Sequence, residues 1–67
     1  MVIAETQTGW QHLGSGRWSA ARAAFESAVQ KDESPQVLHG LGDALWWAGD
    51  VSASVPYHQR AFAAYRE

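Results

Sequence analysis

Shifted by 33 residues, the chain lands on itself: Gly9 falls on Gly42, Gly16 on Gly49, Ala20 on Ala53 and Ala28 on Ala61. A fixed period of this size is the mark of stacked supersecondary units, each too small to bury its apolar face alone. The 67 residues give room for two such units in one domain, and such a small domain leaves much apolar surface exposed. With no cysteine, neither a disulfide nor a thiolate-bound metal can reinforce the core. Cohesion has to come from packing.

Gly14-Ser15-Gly16, Asp32-Glu33-Ser34-Pro35 and Gly49-Asp50 interrupt the chain and divide it into four segments. In the second segment Trp18, Ala21, Phe25, Ala28 and Val29 recur at three- and four-residue steps, which predicts one apolar face of a helix. In the third, Leu38, Leu41, Leu45 and Ala48 repeat that spacing, and Ser34-Pro35 reads as an N-cap followed by a proline in the first turn. The fourth, Val51 to Arg66, carries Val55, Ala61, Phe62 and Tyr65. Its Pro56 predicts a start near Ser52 to Ser54, or a bend there. The first segment places Ile3, Thr6, Trp10 and Leu13 on one face, with Gly9 in the middle. Breaks this short force antiparallel neighbours. The expected architecture is all-α, with about four helices in two antiparallel hairpins forming one domain over 1–67, the first repeat about 2–34 and the second about 35–67.

The pattern resembles the tetratricopeptide repeat. The first repeat matches it at Gly9, Gly16, Trp18, Ala21, Phe25 and Ala28, the second at Leu41-Gly42, Leu45, Gly49-Asp50 and Ala61. Val51, Ser54, Pro56 and Glu33 depart from it. More loosely, the runs Trp10-Gln11-His12-Leu13, Gly16-Arg17-Trp18, Ala21-Arg22-Ala23-Ala24-Phe25-Glu26 and Leu41 to Trp47 are similar to helical repeats of actinobacterial LuxR-type transcriptional regulators. The first resemblance implies hairpins stacked as a fragment of a right-handed superhelix, whose first helices line a concave, peptide-binding groove. The second implies a regulatory module attached to a DNA-binding domain elsewhere.

At about 100° per residue, Trp46 and Trp47 both fall outside the leucine stripe of the third segment. His39, Asp43 and Trp46 share a second face that Trp47 borders, and 33 residues earlier that face carries Thr6, Trp10 and Leu13. The family resemblance assigns this face to the groove. The candidate partner-binding residues are therefore Trp10, Leu13, His39, Asp43, Trp46 and Trp47. Trp46 beside His39 and Asp43 is the foremost of these, because an aromatic among polar neighbours offers both contact area and hydrogen bonds. For Trp10 and Trp47, packing between adjacent hairpins is an equal expectation. Trp18, in the core stripe, is expected not to face a ligand. Glu5, Thr8 and His12 stand where the third segment has leucines, which suits the polar outer face of a capping repeat at a natural N-terminus.

Other chemistries find little purchase. The net charge of −2 offers no extended basic surface for phosphates, so direct nucleic-acid binding is not expected. Arg17, Arg22, Arg60 and Arg66 read as solvated side chains covering apolar neighbours. No stretch approaches the roughly 20 apolar residues that span a bilayer, and the start lacks a signal-peptide pattern, giving a soluble, cytoplasmic expectation. His12, His39 and His58 are far apart in sequence, form no ligand pair and read as solvated, so neither metal nor cofactor is expected. His39 and Asp43 could pair, but no nucleophile or phosphate loop accompanies them and no enzymatic role is expected.

The leading expectation is a protein-protein interaction module that binds a peptide or helix through a tryptophan-lined concave face, as the N-terminal part of a larger regulatory protein. The alternative is a structural module that self-associates into homo-oligomers. A helix-turn-helix DNA binder, suggested by Leu45, Gly49 and Val55, ranks behind both because its recognition helix would carry Pro56.

Overall fold

Ser34 adopts an extended backbone and Pro35 follows in the first turn, so the third helix begins where the missing proline N–H removes no bond. The computed structural model describes residues 3–66. It contains α1 (Ile3–Gly14), α2 (Trp18–Lys31), α3 (Pro35–Trp47) and α4 (Val51–Tyr65), with no strand among the described residues. Residue 2, where the first repeat was expected to start, and residue 67, where the second was expected to end, lie outside them, as does the side chain of Ile3.

The 33-residue period is present in the backbone bonding. At the end of α1, Gly16 N–H donates to the Leu13 carbonyl at 3.1 Å and Arg17 N–H to the His12 carbonyl at 2.8 Å. At the end of α3, Gly49 N–H donates to the Trp46 carbonyl at 3.1 Å and Asp50 N–H to the Leu45 carbonyl at 2.9 Å. Both are Schellman turns, which satisfy otherwise orphaned carbonyls and place the residue after the C-cap in the left-handed region. Gly16 and Gly49 have φ of 75° and 94°, where a Cβ would be strained. α2 and α4 therefore reverse against α1 and α3 through the same turn.

α3 is the central element, packed against α1, α2 and α4. This explains why Val37, Gly40, Gly42 and Ala44 are buried along with the expected Leu38, Leu41 and Leu45: a helix with neighbours on three sides buries more than one stripe. Ala48, expected on that stripe, is the exposed C-cap. The core joins Ala21 and Phe25 of α2 to Leu41, Ala44 and Leu45 of α3. Phe25 is fully buried. A Cβ on Gly9 would lie 2.7 Å from its ring, and one on Gly40 would overlap it from α3, so the ring is held between two helices that approach closely only because both positions are glycine.

α4 begins one residue before the stretch expected from Pro56. The helix starts at Val51, with Pro56 inside it. Asp50 is the N-cap, its Oδ1 accepting from Ala53 N–H at 3.4 Å. Proline removes a donor without preventing helical φ, and Pro56 is exposed. Of the four residues expected on its apolar face, Ala61 is buried while Val55, Phe62 and Tyr65 are exposed. Buried Ser54 satisfies its hydroxyl by donating to the Val51 carbonyl at 2.6 Å.

Glu5, expected on a polar outer face, makes surface contacts there. It is turned toward α2, accepting from Lys31 Nζ at 2.8 Å and from Ser27 Oγ. These contacts hold its carboxyl below the ordinary carboxylate range, the Lys31 bond contributing most.

Candidate functional site: an aromatic hollow and a histidine-lined hollow

Trp18 opens α2 directly after the first Schellman turn, and Trp47 closes α3 directly before the second. The antiparallel packing brings these helix ends together, and the two indoles stack with centroids 5.5 Å apart and planes inclined by 21°. The stack forms one wall of a hollow of about 370 Å³ lined by Trp10, Leu13, Gly14, Trp18, Asp43 and Trp47. Four of the six candidate residues, Trp10, Leu13, Asp43 and Trp47, thus share one depression. Trp47 is 60% exposed, so much of its surface is open.

Trp18 departs from expectation. It is half-buried and lines the hollow, because the first residue of a helix projects past the end of the hairpin. Trp46 is half-exposed and outside the residues lining this hollow, one helical position away from Trp47 and hence turned by about 100°. Trp10 is anchored, packing edge-on against Phe25 at 5.4 Å and against His39 at 5.5 Å.

His39 leads to a second depression, of about 320 Å³, lined by His39, Asp43, His58, Ala61, Phe62 and Tyr65. Asp43 stands between the imidazoles. His58 Nε2 lies 2.8 Å from its Oδ1 and His39 Nε2 lies 3.4 Å from its Oδ2. With an ionised Asp43, both nitrogens carry the proton and donate. In the neutral Nε2–H tautomer of His39 the Nδ1 is an acceptor, and Tyr65 Oη lies 3.5 Å from it. His58, expected to be solvated, is half-buried and paired. The 33-residue shift that aligns the glycines also sets His58 on Phe25 and Asp43 on Trp10, and this was the available signal for both.

The arrangement offers a ligand flat aromatic surface, one carboxylate and two imidazoles. Among the described residues no group of three or more His, Cys, Asp or Glu side chains is placed to hold a metal ion. No described helix is long and apolar enough to cross a membrane. The arginines carry no shared site: Arg22 pairs with Glu26 on α2 at 3.2 Å, while Arg60 pairs with Glu33 and lies 5.5 Å over the Tyr57 ring.

Two bacterial proteins resemble the chain. Cellulose synthase 1 operon protein C of Komagataeibacter xylinus is 41% identical over 59 residues, and cellulose synthase operon protein C of Komagataeibacter sucrofermentans is 37% identical over 59 residues. Each alignment takes in 87% of this chain but 4% of the relative, so the chain matches one small segment of a far longer protein. No family model matches the chain, and no solved structure matches it.

Proposed function

We propose that the chain is a non-catalytic protein-interaction module of tetratricopeptide-like build that receives a peptide or short helix in the hollow between α1 and α3. The observation that carries this reading is the open tryptophan stack: Trp47, 60% exposed, rests on Trp18 beside Trp10 and Leu13, with Asp43 as the charged group. Large rigid aromatics backed by packing and flanked by a polar group make the anchors of protein interfaces. A two-hairpin unit matching a small segment of a long protein also suits a repeat that works by presenting surface. The looser likeness to helical repeats of LuxR-type regulators suits a place within a larger regulatory protein, and a cytoplasmic setting agrees with the lack of cysteine.

A phage-displayed library of random dodecapeptides, panned on the purified chain, supplies the test. Selected peptides should quench or shift tryptophan emission saturably, and Trp47→Ala should abolish the binding while leaving the helical circular dichroism unchanged. Peptides that bind Trp47→Ala as tightly as the parent would overturn the assignment.

A second reading, self-association, draws on a different observation, the exposure of Val55, Phe62 and Tyr65 along α4. Sedimentation across a concentration series separates the two, because only self-association makes the mass rise with concentration.

A further inference from the structure

The internal repeat supplies a template for the surface of α4. In the first interface α3 lies on α2: Gly40 sits over the Phe25 ring, Val37 packs on Ala28 and Val29, and His39 meets Trp10 edge-on at 5.5 Å. Adding 33 converts the receiving residues Phe25, Ala28, Val29 and Trp10 into His58, Ala61, Phe62 and Asp43. These four line one hollow of about 320 Å³. The backbone correspondence is close, since a Cβ on Gly42 would lie 2.5 Å from the His58 ring just as one on Gly9 would lie 2.7 Å from Phe25.

The chemistry of the receiving face has changed, however. Two apolar rings, Trp10 and Phe25, are replaced by a carboxylate and an imidazole 2.8 Å apart. An occupant identical to α3 would set its own counterpart of His39 against Asp43, and its counterpart of Gly40 against His58. Each Asp43 oxygen already has one imidazole partner, His58 at Oδ1 and His39 at Oδ2. A purely apolar helix would take this paired carboxylate out of water without adding a charge to offset it, whereas a fixed positive charge at the His39 position meets it.

We propose that the α4 face is a docking site for an amphipathic helix of α3's kind, carried on a partner, whose contact stripe bears a basic residue followed directly by glycine or alanine. The small residue lets the helix approach His58, and the basic residue pairs with Asp43. An apolar side chain two positions before the basic residue fills the space between Ala61 and Phe62. This face shares Asp43 with the hollow beside the Trp18–Trp47 stack but is otherwise lined by different residues, and the proposal does not rest on the function proposed for that hollow.

The test joins a second copy of residues 35–67 directly after Glu67, which keeps the 33-residue period and offers α4 a helix of known sequence. The tandem protein should unfold in one transition, at a higher midpoint than the parent chain. In the added copy alone, His39→Arg should raise the midpoint by about 2–5 °C and His39→Glu should lower it by a similar amount. Asp43→Asn in the original half should erase the difference between those two variants. Gly40→Leu in the added copy should split the transition in two. An added hairpin that unfolds independently from the outset, or a Gly40→Leu tandem with an unchanged single transition, would overturn the proposal. So would a parent chain that dimerises until Phe62→Glu makes it monomeric, because the face would then belong to a second copy.

Discussion

His58 occupies in the second hairpin the position that Phe25 occupies in the first, each ring lying over the glycine of the facing helix in its own hairpin. The exchange is coupled, because Asp43, beside His58, stands where Trp10 stands beside Phe25. Replacing the polar pair by the aromatic one should therefore show strong non-additivity. Asp43→Trp and His58→Phe are each expected to destabilise, whereas the double variant should recover about 0.5–1.5 kcal/mol relative to the sum of the singles. Urea midpoints of the four proteins give the coupling directly, and additive effects would refute it.

Phe25 is gripped from two sides, by Gly9 and Gly40. Gly40→Ala is expected to lower stability by about 1–3 kcal/mol, because the ring must shift within a packed core. Phe25→Leu alone should destabilise by opening space, and in that background the added methyl should do much less harm. Thermal melts of the two singles and the double decide this; an undiminished effect of Gly40→Ala in the Phe25→Leu background would contradict the contact.

Acid should weaken the link between α1 and α2. Glu5 titrates below its unfolded value because Lys31, and next Ser27, bond to its ionised form. The stability contributed is fully present above the unfolded carboxylate value and is lost as pH falls through the depressed folded one. Glu5→Gln should therefore reduce the slope of urea midpoint against pH in that acidic window and leave the slope above neutrality unchanged. A variant whose acid slope equals the parent's would show that the pair has no role in solution.

Pro56 lies beyond the first turn of α4, where it can donate no bond to the Ser52 carbonyl four residues back. Pro56→Ala should leave the helical circular dichroism unchanged or raise it, with a gain in stability of about 1 kcal/mol. A loss of ellipticity at 222 nm would mean that the ring is needed to hold the start of the helix.

The helices and most of the core were legible because they depend on periodicity that any single segment displays. Ala21, Phe25 and Ala28, and Leu38, Leu41 and Leu45, recur at helical steps and are buried. What was not legible depends on neighbours. Val37 and Ala44 are buried only because α3 is enclosed from three sides. Phe62 and Tyr65 carry apolar spacing yet remain exposed because nothing among the described residues lies over α4. Trp10, Leu13, Asp43 and Trp47 were grouped by helical geometry and converge on one hollow, while Trp18 joined them through packing at the helix ends. Pro56 was read by its usual local effect, and the capped start at Asp50 outweighed it.

The central position of α3 also bears on the order in which the molecule comes apart. Each Schellman turn closes between residues five apart, so either hairpin can form from local contacts before the two meet, and folding should be fast. α3 alone touches every other helix, and its backbone can open only when all three interfaces give way. In hydrogen exchange its amides should be the last to vanish, while α1 and α4, each at an edge, open first. Protection along the chain would thus peak around Leu41, and the edges would flicker open many times for each loss of the whole.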